Sequence, residues 1–134
     1  GGWQLFAPAT HLEGVVWDSD LEARLTASAA SGKPVIIDFT ADWCAACKEL
    51  EHFTYTDPAV IQCSADFEPV MLDMTATNDA NAALQKRYAV KGLPAVFFIC
   101  PGGEVLSDLT LQGFEPADRF LQKMNAALRT CSEG

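Results

Sequence analysis

The chain has 134 residues, 49% of them hydrophobic and 20% charged, with 18 acidic side chains against 9 basic ones and a net charge of −9. That length and composition suit one compact α/β-sized domain with a buried core and exclude a disordered chain. The acidic balance argues against nucleic acid or an anionic membrane surface as a partner, and no apolar run approaches the ~20 residues that cross a bilayer.

Residues 1–11, GGWQLFAPATH, lack the basic region and long apolar segment of a signal peptide. They read as a lead-in, with Gly1-Gly2 as an added pair or the end of a flexible linker, and the domain is expected over 12–134 as a soluble piece of a longer chain. Leu12–Trp17 reads as a short strand. Asp18 or Ser19 caps a helix over about 20–31, which Gly32 ends. In KPVIIDFTA, Val35, Ile36, Ile37 and Phe39 form a strand apolar enough to be buried on both faces. From 43 to 54 the period turns helical, with Leu50 and Phe53 at helix spacing. Asp57 then caps a new helix opened by Pro58. Phe67–Met74 is a strand and Asn78–Tyr88 a helix. Ala95–Ile99 and Glu104–Leu111 form a hairpin around Pro101-Gly102-Gly103. A last helix spans 115–130, with Phe120, Leu121, Met124 and Leu128 on one face. The order β-α-β-α-β-α-β-β-α implies an α/β fold: a mostly parallel central sheet with helices on both faces, made mixed by the closing hairpin. Such a sheet carries its site at the carboxyl end of a strand.

The stretch DFTADWCAACKELE, residues 38–51, lies there. Cys44 and Cys47 follow a strand and open a helix. Three readings are open: a redox pair, a structural disulfide or pair of buried thiols, and a metal clamp. The position favours redox chemistry. A helix N-terminus favours the Cys44 thiolate, and Cys47 sits one turn on, within disulfide reach. Cys44 attacks a partner's disulfide and Cys47 resolves the mixed disulfide. The metal reading lacks support from further ligands: there is no second CxxC, and His11 and His52 are not spaced for zinc. No dinucleotide fingerprint is present, so no cofactor is expected and electrons must come from another thiol pair. A second feature is VKGLPAVFF, which puts Pro94 just before a core strand. A cis Leu93–Pro94 bond would present the Leu93 backbone beside the cysteines, where a substrate strand can pair with it; the plainer reading is a turn proline at a strand start.

These motifs together resemble a known family. WCAAC on a strand–helix junction with GLPAVFF roughly 50 residues on is similar to the thioredoxin fold. The longer string, GKPVIIDFTADWCAACKELE followed by TDPAV, TATND and KGLPAVFF, resembles the C-terminal periplasmic domain of the DsbD family of bacterial transmembrane thiol:disulfide interchange proteins, over about residues 12–128. The resemblance implies a relay. Electrons pass from cytoplasmic thioredoxin through a membrane domain to this domain, then to the N-terminal domain of the same protein, and on to periplasmic isomerase and cytochrome-maturation pathways. It implies Cys44 as nucleophile, Cys47 as resolving thiol, Pro94 as the cis proline, and the periplasm as location. Two rivals are a free-standing or tethered periplasmic thioredoxin, and a metal-binding carrier using the same two cysteines. An oxidase is disfavoured by the Ala-Ala spacer and the acidic surroundings.

The flanking acids bear on reactivity. Asp38 lies on the strand aimed at the site and is expected beneath the cysteines, as proton acceptor or donor for Cys47. Glu51, four residues after Cys47, shares its helix face. Both disfavour a further negative charge and oppose the helix dipole, so Cys44 is expected to stay mostly protonated at pH 7. Trp43 is expected to pack beside the site as a shield and, with Leu93 and Pro94, to contact substrate. Lys48 either pairs with a carboxylate or faces water, and His52 is a surface residue. Cys63, Cys100 and Cys131 depart from the family pattern. All three are expected at the pole opposite the site, as free, partly buried thiols, with a Cys100–Cys131 disulfide as the lesser alternative.

Overall fold

A computed structural model describes residues 14–133, so the expected lead-in at 1–11 and the start of the first expected strand lie outside the described residues. The first helix, α1 (Leu21–Ser31), is capped by Asp20, whose Oδ1 accepts the Ala23 N–H at 3.0 Å. Asp18 and Ser19 were the expected caps. Asp18 is instead occupied one turn earlier, where its Oδ1 accepts the N–H groups of Ser19 and Asp20. Gly32, at φ 80°, closes the helix by donating to Ser28 O, a left-handed position that a Cβ would strain.

Strand β1 (Val35–Thr40) is buried along its whole length because it is the middle strand of three. It pairs in parallel with β2 (Glu68–Asp73) and antiparallel with β3 (Ala95–Ile99), giving the order β2-β1-β3 and an α/β fold with a mixed sheet. The antiparallel member is thus β3 itself. The register sets Thr40 beside Asp73 and Phe39 beside Ala95. The turn carrying the cysteines, the exit of β2 and the approach through Pro94 therefore meet at one end of the sheet.

Alternation along β1 separates two cores. Ile36 faces one, with Val96, Phe98, Leu50, Tyr55, Val60, Phe120 and Met124. This face is covered by Leu50 of the turn after α2 (Ala45–Glu49), by α3 (Pro58–Ser64) and by α5 (Ala117–Glu133). Val35, Ile37 and Phe39 face the other, packed by Leu21 and Leu25 of α1 and by Leu84 of α4 (Asp79–Arg87). Asp38 has the parity of Ile36 and so lies on the face under the cysteine-bearing helix. That helix does not run uniformly to 54. After Glu49 it widens into a π turn, Leu50–Thr54, closed by Tyr55 N–H donating to Leu50 O at 2.8 Å.

Two expected strands are not continuous. Gly14–Trp17 forms none; the chain touches the sheet at a bridge between Asp18 and Val70, and Val15 N–H donates to Tyr55 O. Pro69 explains this. Its carbonyl accepts from Asp18, and the next outward donor on that edge is Met71; Pro69 itself offers no N–H, so a longer ladder cannot form. In 104–111, only Val105 and Leu111 bridge β3, to Ile99 and Val96. Between them Ser107–Leu109 makes one 3-10 turn, the local alternative that Ser and Asp offer to a ladder.

The distal cysteines also correct an expectation. Cys100, at the end of β3, and Cys131, near the end of α5, are joined as a disulfide with Cα atoms 5.2 Å apart, rather than left as free thiols. Val35 pairing with Ile99 places this bond at the end of the sheet opposite the cysteine turn. Cys63 is free and half-buried, and burial pushes its thiol pKa up. A bond closing 31 residues restricts the unfolded chain by about 2–4 kcal/mol. A Cys100→Ser/Cys131→Ser variant is therefore expected to unfold at lower urea by that amount while keeping wild-type exchange at Cys44; equal urea midpoints would show that the bond carries no stability.

Candidate active site

The site is assembled by the turn between β1 and α2. Met74 N–H donates to Thr40 O at 2.6 Å, and Thr75, whose Oγ1 donates to Asp73, accepts the Asp42 N–H at 2.8 Å. These bonds fasten the turn to the exit of β2. Cys44 N–H then donates to Ala41 O, and Cys44 becomes the N-cap, its Sγ accepting the Cys47 N–H at 3.2 Å. Cys44 and Cys47 form a disulfide with Cα atoms 5.3 Å apart, so the structure holds the oxidised state. Both are buried, and with Ala41 they form a small cluster on which Leu93 packs. The Leu93–Pro94 bond is cis. Elements distant in sequence thus bring Cys44, Cys47 and Leu93 together.

Trp43 does not pack down as a shield. It is 68% exposed and lines a cleft of about 300 Å³ with Gly92, Leu93, Asn78 and Asn81. The side chain next to Cys44 is therefore open to contact from outside.

On β1, on the face that also carries Ile36, lies a carboxyl group with almost no access to water. Asp38 is 2% exposed. Its Oδ2 accepts the Tyr55 hydroxyl at 2.5 Å, and its Oδ1 has no hydrogen-bond partner among the described residues. Burial raises the Asp38 pKa to about 7; the Glu51 charge adds to the rise, and the Tyr55 hydrogen bond works against it. Tyr55 is pushed well above the ordinary tyrosine range, again chiefly by burial, so its hydroxyl stays a donor. Glu51 sits in the π turn at the edge of a groove of about 680 Å³ that Thr40, Ala41, Asp42, Lys48 and Asp73 also line. Lys48 Nζ stands 3.9 Å from Glu51 Oε1 and 3.9 Å from Asp42 Oδ1, distances at which exposed charges attract weakly. His52 lies on the exposed side of the same turn. Tyr55 is the participant that sequence reasoning missed. The available signal was its place four residues after Glu51, on the helix running back beneath the cysteines. Among the described residues no group of three His, Cys, Asp or Glu side chains converges as a metal site.

A dithiol–disulfide pair at the end of the central strand, starting a helix and flanked by a cis proline, defines a thioredoxin-like site. Residues 16–101 match the model of a thioredoxin-like family, Thioredoxin_7. The fold superposes on the C-terminal domain of DsbD from Neisseria meningitidis, in its oxidised form with a TM-score of 0.74 and 32% identity over 84% of this chain and 99% of that one. The reduced form gives 0.72 and 34%, over 80% and 93%. The thiol:disulfide interchange protein DsbD of Haemophilus ducreyi is 39% identical over 118 residues, which is 88% of this chain and 20% of that protein. The chain thus spans about a fifth of the length of the curated relatives it matches. It belongs to the DsbD family, as a counterpart of the C-terminal domain.

The burial of Asp38 has a consequence for stability. Its folded pKa of about 7 lies above the ordinary aspartate value of 3.8, so between these the folded state binds more protons than the unfolded one. Stability contributed at this position is full at low pH, falls as pH rises from about 4, and is lost by about pH 7. A change of about three units corresponds to on the order of 4 kcal/mol. Asp38→Asn is expected to gain on the wild type across this window and to hold the gain above it, as read by urea denaturation at pH 4 and pH 8. A stability difference that does not change with pH would show that Asp38 is ionised in the folded protein.

Proposed function

We propose that this domain is a two-electron relay in a larger DsbD-type protein. It is reduced by a dithiol of a transmembrane domain, then reduces the N-terminal domain of the same protein and, through it, other periplasmic thiol–disulfide proteins. The observation that carries the reading is the Cys44–Cys47 disulfide at the start of the helix, packed by Leu93, at the end of a central strand that carries the buried Asp38. Membership of the DsbD family and the chain's one-fifth share of its relatives' length support a part that works with further domains. The described residues include no helix long and apolar enough to cross a membrane, so a membrane step belongs to another part of such a protein. A periplasmic location follows from the same reading.

The chemistry balances within thiol exchange. An incoming dithiolate attacks the Cys44–Cys47 bond, and a mixed disulfide forms and is resolved. The donor leaves as a disulfide, and both cysteines are reduced. In the forward step the Cys44 thiolate attacks the acceptor's disulfide, and one acceptor sulfur leaves as a thiolate and takes a proton. Cys47 then loses its proton and attacks Cys44 Sγ. The Cys44–acceptor bond breaks, the second acceptor sulfur leaves, and the Cys44–Cys47 bond returns. Asp38 is the group assigned to receive the Cys47 proton, since its pKa near 7 suits both taking and giving one. Glu51, at the groove, adds its charge to the burial that keeps the Asp38 pKa raised. Trp43 and Leu93 are the contact surface for the partner, with the Leu93 backbone pairing with its strand and Pro94 fixing that segment.

Cys47→Ser is expected to complete the first attack and accumulate mixed disulfides, whereas Cys44→Ser abolishes exchange. Non-reducing gels and mass spectrometry of the trapped species in cells making the full-length protein identify the partner. Adducts of Cys44→Ser through Cys47 would reverse the assignment, and adducts with neither DsbD domains nor periplasmic disulfide proteins would contradict the relay.

A further inference from the structure

Asp38 is the central group of the site, and among the described residues only one side chain reaches it with a hydrogen bond. Its cross-strand neighbours are Met71 of β2 and Val96 of β3, which offer no polar side-chain group that hydrogen-bonds. The charge that bears on it comes from Glu51 in the π turn, and Lys48 of α2 stands 3.9 Å from Glu51. From α5, the nearest packing on this side is the apolar Phe120. The Tyr55 hydroxyl is the one donor to the carboxyl among the described residues, and Asp38 Oδ1 is left unpaired.

Tyr55 is fixed on every side. Its ring centroid lies 4.9 Å from Trp17 and 5.4 Å from Phe120. Its own N–H closes the π turn on Leu50 O, and its carbonyl accepts from Val15. The extra residue of a π turn sets the side chains that follow it back by about 100° relative to a plain α-helix. That offset brings the position after the turn under the sheet, where Tyr55 is 2% exposed. Ring packing alone asks only for a phenylalanine here. A buried hydroxyl loses its water and is tolerated when it finds a partner, and its partner is the carboxyl group of the site.

We propose that Tyr55 is a positioning residue for disulfide exchange: by donating to Asp38 Oδ2 it orients the carboxyl with Oδ1 free, and it sets the pH at which Asp38 becomes able to accept the Cys47 proton. The inference rests on the proposed role of Asp38 as that acceptor. The donated bond favours the ionised carboxylate and opposes burial and Glu51, so its loss moves Asp38 further toward the protonated form.

Two measurements on the wild-type domain, Tyr55→Phe, Asp38→Asn and the double variant test it. The first is titration of the Asp38 carboxyl carbon by NMR in the oxidised domain. The second is the pH profile of the rate at which Cys47 expels a small aromatic thiol from a mixed disulfide preformed at Cys44. Tyr55→Phe keeps the ring and its packing. It is expected to raise the carboxyl midpoint by about one unit or more, a tenfold change in proton affinity, and to move the rising limb of the rate profile by the same amount. Asp38→Asn removes that limb, and Tyr55→Phe then adds no further shift. An unchanged carboxyl midpoint in Tyr55→Phe, or a shift of the rate profile that persists without Asp38, overturns the inference. A wild-type rate profile with no limb at the carboxyl midpoint defeats instead the acceptor role of Asp38, and with it the catalytic half of the inference.

Discussion

A carboxyl group on the central strand, cut off from water and placed under a helix that begins with a redox cysteine, is the constraint on which the other features of this site depend. Burial makes the charged form costly, and the group meets that cost by holding its proton up to about pH 7 and by taking one hydrogen bond from Tyr55. The helix N-terminus above it pulls in the opposite sense, favouring negative charge at Cys44. Two groups that compete for the same charge in one small volume allow the oxidation state of the cysteines and the protonation state of Asp38 to be coupled. Glu51 at the groove and Lys48 beside it adjust that balance from the wet side.

The fold supplies the geometry with few devices. The register that joins Thr40 to Asp73 and Phe39 to Ala95 puts three loops at one end of the sheet. Alternation along β1 sends Asp38 to the helix-covered face beside Ile36. The π turn lets the helix that starts at Cys44 end with Tyr55 directed back under the strand. At the other end, the Cys100–Cys131 bond ties β3 to α5, well away from the exchanging pair. One chain therefore carries two disulfides with separate tasks: one opens and closes in exchange, and the other holds the scaffold.

Much of this was legible in the sequence because it rests on local chemistry. The apolar run of β1, the Asp57 cap, Pro58 and Gly32 mark elements that form where their residues favour them. The CxxC and Pro94 motifs carry the family resemblance that family-model and structural matches establish. What was not legible depends on partners distant in sequence. Asp18 is drawn from capping into a turn and a bridge, and Pro69 withholds the N–H that a longer first strand needs. The 3-10 turn at Ser107–Leu109 interrupts an otherwise strand-like pattern. Cys100 and Cys131 are 31 residues apart, and only the docking of α5 along β3 brings them within bonding reach. Tyr55 drew no reading from the sequence, because its hydroxyl gains meaning only when Asp38 is seen opposite it. Trp43 looked like a shield, yet the turn leaves it outside.

The central claim is that Asp38 and Glu51 together disfavour a further negative charge at the site and outweigh the helix N-terminus, so that reduced Cys44 stays a thiol at neutral pH. The most direct measurement is titration of the Cys44 thiolate in the reduced domain, followed by alkylation rate or by thiolate absorbance with Cys47 present. The account predicts a value above the ~8.5 of a free cysteine, lowered by Asp38→Asn and by Glu51→Gln. A wild-type value near ~7, insensitive to both substitutions, would show that the helix N-terminus governs the thiol and would contradict the account.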